Sequence, residues 1–163
     1  MSSTSLEPAD GSLLLGVISD THGLLRPEVA RAFSGVDRIL HAGDVGGADV
    51  LDQLGEMAPV TAVRGNTDFG RWADRLPETE VVAAGAAHLY LLHDKAALDL
   101  NPVAAGFQAV ITGHSHQPAL TEREGVLYLN PGSAGPRRFD YPTTVARVTV
   151  TGTRLQARIV HLL

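Results

Sequence analysis

The chain has no cysteine. That excludes disulfides, thiolate metal sites and cysteine catalysis, so any metal must be held by nitrogen and oxygen ligands. Lysine is nearly absent as well: Lys95 is the single one in 163 residues, and the net charge is −5. So acidic a chain lacks the broad positive field that holds duplex nucleic acid, and no stable nucleic-acid binding is expected. Long apolar runs are missing too. The run from Leu13 to Ile18 is too short to span a bilayer. The polar stretch ahead of it carries no basic leader region. No membrane association is expected, and the cytoplasm is the default compartment.

What is present is an ordinary globular composition, with 44% apolar and 19% charged residues, which argues against disorder. Residues 1–11 are polar and read as a disordered tail; residues 12–163 read as one domain. Strands are expected at Leu13 to Ser19, Arg38 to Ala42 and Val60 to Val63, with helices at Pro27 to Phe33 and Ala48 to Met57. This part reads as a parallel α/β unit. The second half reads as antiparallel, with hairpins turning at Gly85, Glu124-Gly125 and Thr151-Gly152, a strand around Val110, and a helix around Ala97 to Ala105.

Polar side chains gather just past the predicted strand ends. Asp20 and His22 follow the first strand in "SDTHG", Asp44 the second in "HAGD", and Asn66 the third in "RGNTD". His93 lies in "LLHD", and His114 and His116 lie in "TGHSH". Ligands of open α/β sheets bind beyond the carboxyl ends of the strands. Gly43, Gly65 and Gly113 each precede a member of the set and are expected to supply the sharp turns that aim it. Imidazole and carboxylate donors suit Mn²⁺, Fe or Zn²⁺, and seven ligands are too many for one ion but natural for two. Each residue alone is equally well a turn former or helix cap; the ordered set points to a site.

The ordered series "DTH", "GD", "GN", a lone histidine and "GHSH" resembles the calcineurin-like metallophosphoesterases. The short length and "NPGS" at Asn130 to Ser133 resemble their small bacterial and archaeal phosphodiesterase branch. The resemblance implies an α/β fold, a four-layer αββα sandwich of two mixed β-sheets flanked by helices. It implies two divalent transition-metal ions, Mn²⁺ first, with Fe, Zn²⁺, Ni²⁺ and Co²⁺ also compatible. Asp20, His22, Asp44 and His116 would surround one ion; Asp44, Asn66, His93 and His114 would surround the other, with Asp44 bridging. The implied reaction is hydrolysis of a small phosphodiester by a bridging hydroxide, with Asn66 stabilising phosphoryl charge. His41 would orient a ligand or loop from behind.

Two positions depart from the family pattern. Thr67 stands where many relatives carry a histidine that protonates the leaving group, and Thr cannot replace that acid. Asp68, next to it, is a catalytic candidate, though an exposed aspartate would be ionised. Asp94 stands where glycine is expected after His93; it would crowd the loop or hydrogen-bond His93. Arg137 and Arg138 are candidates for phosphate binding. Phe69, Trp72, Phe139 and Tyr141 read as packing residues or as a pocket for an aryl group. His88 and His161 read as structural. Two rivals remain: a metal-binding interaction module of the same fold with little catalysis, and a nuclease, which the negative charge disfavours. A homo-oligomer is compatible with the sequence.

Overall fold

The structure, a computed structural model, describes residues 11–163. Apart from Gly11, the expected tail therefore lies outside the described residues. Among the described residues ten strands form two five-stranded sheets. β1 (Leu13–Ile18), β2 (Arg38–His41) and β3 (Val60–Ala62) run parallel in the first sheet. β9 (Thr144–Thr151) joins β1 antiparallel, and β10 (Arg154–His161) pairs with β9, giving the order β10-β9-β1-β2-β3. The second sheet holds β4 (Thr79–Ala84), β5 (Ala87–Leu92), β6 (Ala109–Ile111), β7 (Ala119–Arg123) and β8 (Val126–Asn130), in the order β4-β5-β6-β8-β7. Its edges are antiparallel, but β5, β6 and β8 are parallel, so the second half is mixed rather than antiparallel.

Three apolar layers explain the stacking. Leu15, Val17 and Leu40 of the first sheet meet Leu89, Leu91, Ile111 and Leu129 of the second in a core between the sheets. The outer face of the first sheet is covered by α1 (Glu28–Ala32) and α2 (Ala48–Gly55) through Val29, Phe33, Val50 and Leu54. β1 is apolar along its length because it is buried on both faces. Gly16 lets the Phe33 ring lie flat on the sheet, since a Cβ there would strike the ring. On the second sheet Tyr90, Leu92 and Val110 pack under Leu98, Leu100 and Phe107. The result is the expected four-layer αββα sandwich.

The second sheet's cover departs from the expected helix. Residues Lys95–Ala97 form a 3₁₀ turn, and α4 begins later, at Pro102–Ala105. Pro102 forces its predecessor out of helical geometry, and Asn101 caps the new start by accepting from the Val103 and Ala104 N–H groups. A further short helix, α3 (Arg71–Asp74), follows the loop after β3.

Register places the site. Ile18 pairs with His41, and His41 with Ala62, so β1, β2 and β3 end level. Leu91, Ile111 and Leu129 end level in the other sheet. All the loops that carry the "DTH", "GD", "GN", "HD" and "GHSH" residues thus leave the sandwich on one rim.

Candidate metal centre

The rim brings together two groups of ligand atoms. Asp20, His22 and His116 form one, and Asp44, His93 and His114 the other; within each, the donor atoms all lie within 4.8 Å of one another. His22 Nε2 and His116 Nε2 are 3.3 Å apart, as are His93 Nε2 and His114 Nδ1. Two nitrogens bound to one ion at about 2.0–2.1 Å would stand about 3–3.4 Å apart. Asn66 joins the second group, its Oδ1 3.2 Å from His114 Nδ1.

The two carboxylates divide their oxygens in the same way. Asp20 Oδ2 accepts from the Ser19 hydroxyl (2.7 Å) and the His114 N–H (3.0 Å). Asp20 Oδ1 is buried with no hydrogen-bond partner and lies 3.3 Å from His116 Nε2. Asp44 Oδ1 accepts from the Thr67 N–H (2.9 Å), while Oδ2 lies 3.2 Å from His93 Nε2 and 3.8 Å from His22 Nε2. In each, one oxygen is tied to the chain and the other turns inward. A buried carboxylate oxygen without a donor is costly unless something cationic satisfies it. The donor set and the orphaned oxygen both fit divalent cations.

The backbone pays a conformational cost here. Asp20, His22, Asp44, His114 and His116 all adopt left-handed φ values, between 48° and 70°. Asp and His tolerate that region better than most residues, but each instance costs about 1–3 kcal/mol and persists only where surroundings enforce it. The expected role of the glycines is accordingly corrected. Gly43 does supply a positive φ of 101°. Gly65 and Gly113 do not; they are glycine because a Cβ would collide with Asp44 and with Ser19 and Asp20 respectively. The strained turns fall on the candidate ligands themselves.

Supporting residues hold these turns. His41 is fully buried; its Nδ1 accepts from the Gly43 N–H (3.1 Å), so a neutral ring carries its proton on Nε2, 3.0 Å from Thr21 Oγ1. Thr21 in turn donates to the Val45 carbonyl (2.7 Å). Both His41 nitrogens are occupied between the loop of Asp20 and His22 and the loop of Asp44. Burial pushes its pKa down to about 4, only partly opposed by the charges of Asp20 and Asp68.

Asp68 differs from the expectation of an exposed aspartate. It is buried, and its carboxylate accepts from the N–H groups of Val45 (3.2 Å), Gly46 (3.0 Å) and Gly65 (2.9 Å). With both oxygens engaged, it clamps the Asp44 loop to the Asn66 loop. Asp94 also differs. It neither crowds His93 nor bonds to it: His93 Nδ1 faces the Ala42 carbonyl (2.7 Å), while Asp94 caps the 3₁₀ turn and places Oδ2 3.8 Å from His114 Nε2.

Electrostatics follow from these pairings. Burial would raise the Asp44 carboxyl, but His93 and the Thr67 N–H outweigh it and hold it well below the usual range. Burial likewise opposes ionisation of Asp20, yet the His22 and Ser19 side chains and the charges of His93 and His116 bring it below its ordinary value. His93 goes the other way: burial would lower it, and the facing Asp44 and Asp20 carboxylates raise it. His116 is lowered by burial, with Asp20 opposing and His22 and Arg138 adding to the fall.

Sequence reasoning missed the supports contributed by "NPGS". Asn130 donates to the Gly113 carbonyl (2.9 Å) and to Ser115 Oγ (3.1 Å), bracing the loop of His114 and His116. Ser133 donates to the Asp20 carbonyl (3.0 Å). The motif was visible, but its contacts span 15 to 113 residues of chain. Of the aromatic candidates, Phe69 and Phe139 are 76% and 83% exposed, whereas Trp72 packs against the helix side of the first sheet. Arg137 and Arg138 are exposed, and Arg64 pairs with Glu78 and Asp74 at 3.3 and 3.6 Å. His88 is exposed on β5, and His161 is exposed at the end of β10. Among the described residues no helix is long and apolar enough to cross a membrane.

Residues 13–153 match the family model of the calcineurin-like phosphoesterase superfamily domain. A probable metallophosphoesterase of Methanothermobacter thermautotrophicus is 38% identical over 160 residues, covering 91% of this chain and 92% of that protein. A phosphodiesterase of Methanocaldococcus jannaschii is 26% identical over 137 residues, covering 72% of this chain and 82% of its own length. Among solved structures, Vps29 from Entamoeba histolytica, complexed with Zn²⁺, superposes with a TM-score of 0.69 at 26% identity, covering 93% of this chain and all of that one, 100%.

Proposed function

This chain belongs to the calcineurin-like phosphoesterase superfamily, and from that membership and the two facing ligand groups we propose that it is a metal-dependent phosphodiesterase acting on small phosphodiesters. The observation that carries the reading is Asp44 Oδ2. It is free of backbone partners and stands between His93 Nε2 (3.2 Å) and His22 Nε2 (3.8 Å), one from each group. Asp20, His22, Asp44 and His116 would hold one ion, and Asp44, Asn66, His93 and His114 the second. When bound, such a pair supplies Lewis acidity and a water acidified enough to attack phosphorus near neutral pH.

The chain's own residues do the rest. Asp20 and Asp44 keep one oxygen each on the scaffold, so the inward oxygens do not move when charge develops. Asn66, exposed at the rim, reaches the phosphoryl oxygens. Asp68 and His41 position the loops and do not exchange protons with substrate, since their polar atoms are already engaged. Thr67 offers no acid to a departing alkoxide, so esters with good leaving groups are the better substrates.

The test is hydrolysis of an aryl phosphodiester by metal-free protein given Mn²⁺, Fe, Zn²⁺, Ni²⁺ or Co²⁺ in turn. Turnover that a chelator abolishes and Mn²⁺ restores is expected; no turnover with any of these ions would sink the reading. The two exposed rings, Phe69 and Phe139, are single apolar residues of the kind ordinary surfaces carry and do not by themselves point to the second reading, an interaction module. Recovery of a stoichiometric protein partner, undiminished by loss of the metal ligands, would favour it.

A further inference from the structure

We propose that Asp94 is a positioning residue for His114, fixing its ring so that Nδ1 faces the ion of the Asp44 group. The proposal rests on the metal-centre reading above. His114 directs Nδ1 inward, toward Asn66 Oδ1 and His93 Nε2. An imidazole that binds a cation through Nδ1 carries its proton on Nε2, and that N–H needs an acceptor. Asp94 presents a carboxylate oxygen, Oδ2, to His114 Nε2 at 3.8 Å. The separation is longer than a direct hydrogen bond and close enough for one formed by a small side-chain rotation or through one water.

Asp94 is not a loose surface carboxylate. Its Oδ1 accepts from the Ala96 N–H at 3.0 Å as the cap of the 3₁₀ turn, which leaves Oδ2 directed at the histidine. The residue also stands between two cavities of about 240 and about 440 Å³, the first bordered by His114 and the second by Asn66 and His93. His114, half exposed, is otherwise the least confined histidine of the centre and has most to gain from an orienting partner. His93 shows the same arrangement completed, its outer nitrogen against the Ala42 carbonyl at 2.7 Å.

The experiment is calorimetric titration of the metal-free protein with Zn²⁺, for wild type, Asp94→Ser, Asp94→Asn and His114→Ala. Serine can keep the cap on Ala96 but is too short to reach His114; asparagine keeps an acceptor without the charge. Two bound ions are expected in wild type. In Asp94→Ser one of the two is expected to bind about 10–100-fold more weakly, the other unchanged. Asp94→Asn should fall between, and His114→Ala should weaken the same ion. In Zn²⁺-loaded protein the ¹⁵N spectrum of His114 should report a single tautomer protonated on Nε2 in wild type and a mixture in Asp94→Ser. Equal weakening of both ions, or wild-type binding and tautomer in Asp94→Ser alongside loss of an ion in His114→Ala, overturns the proposal while leaving the metal centre standing. A wild type that takes up no Zn²⁺ overturns both.

Discussion

The two ligand groups are built from the same residue types and anchored differently. Asp20, His22 and His116 lie deep: Asp20 is 0% exposed and His116 is buried, but His116 Nδ1 has no partner. Asp44, His93 and His114 lie toward solvent through His114, yet the outer nitrogens of both histidines face acceptors. The first group is held by enclosure and by the Ser133 hydroxyl on the Asp20 carbonyl, while Asn130 braces the loop that carries both His116 and His114. The second is held by the Thr67 N–H on Asp44, the Ala42 carbonyl on His93 and the three N–H bonds by which Asp68 clamps the neighbouring loops, with Asp94 facing His114 at 3.8 Å. Burial and explicit hydrogen bonding are alternative ways to keep a donor aimed, and only the second leaves a face open to substrate.

Asp44 is where the comparison should break first. It is the residue placed between both groups, so Asp44→Ala is expected to weaken both ions and reduce kcat/KM at least about 10³-fold, roughly 4 kcal/mol of transition-state stabilisation. Metal analysis showing two tightly held ions in this variant would remove the link between the groups.

His41 serves both groups, through Thr21 on one side and Gly43 on the other, and its titration should appear in the whole fold. Its folded pKa of about 4 lies below the ordinary histidine value of 6.5, so the unfolded chain takes the proton first as pH falls. The His41 contribution to the stability of the metal-free protein should therefore be full above pH 6.5 and decline between 6.5 and 4, by about 3 kcal/mol in total. Denaturant unfolding across that window checks it; the decline should flatten in His41→Gln, and an equally steep decline there would refute the assignment.

Asp68 sharpens the contrast by touching only the second group's loops. Asp68→Asn loses acceptor capacity against three N–H groups and should cost about 2 kcal/mol in thermal or denaturant unfolding. Its metal titration should show the Asp44-side ion weakened and the Asp20-side ion spared. The smallest effect concerns exchange. The more exposed ion should leave a chelator challenge roughly ten times faster, a difference of about 1.4 kcal/mol in barrier. His114→Ala should abolish the fast phase and His116→Ala the slow one; a single phase in wild type would mean the groups do not differ.

Much of the centre could be read from residue type and order. Asp20, His22, Asp44, Asn66, His93, His114 and His116 announced themselves because each follows a short apolar run and few other residue types bind hard cations. The strands were legible for a similar reason: β1, β7 and β8 carry local composition and turn signals. Asp68 was not legible, because an aspartate six residues past a strand looks the same whether it is solvated or accepts three amides. Nor was the mixed second sheet, since β8 reaches β6 in parallel only after β7 has intervened.

The sequence alone determined which atoms are offered and in what order they come: donor chemistry, strand lengths and the absence of thiolates are properties of residues. Only the tertiary structure decided what those atoms face. The left-handed turns at five ligands, the closeness that demands Gly65 and Gly113, and the pairing of Asp94 with His114 and not His93 all depend on loops from two sheets meeting at one rim. Contacts between residues 15 to 113 positions apart leave no trace in local pattern, because their energy is set by distance in space and not by neighbours in the chain.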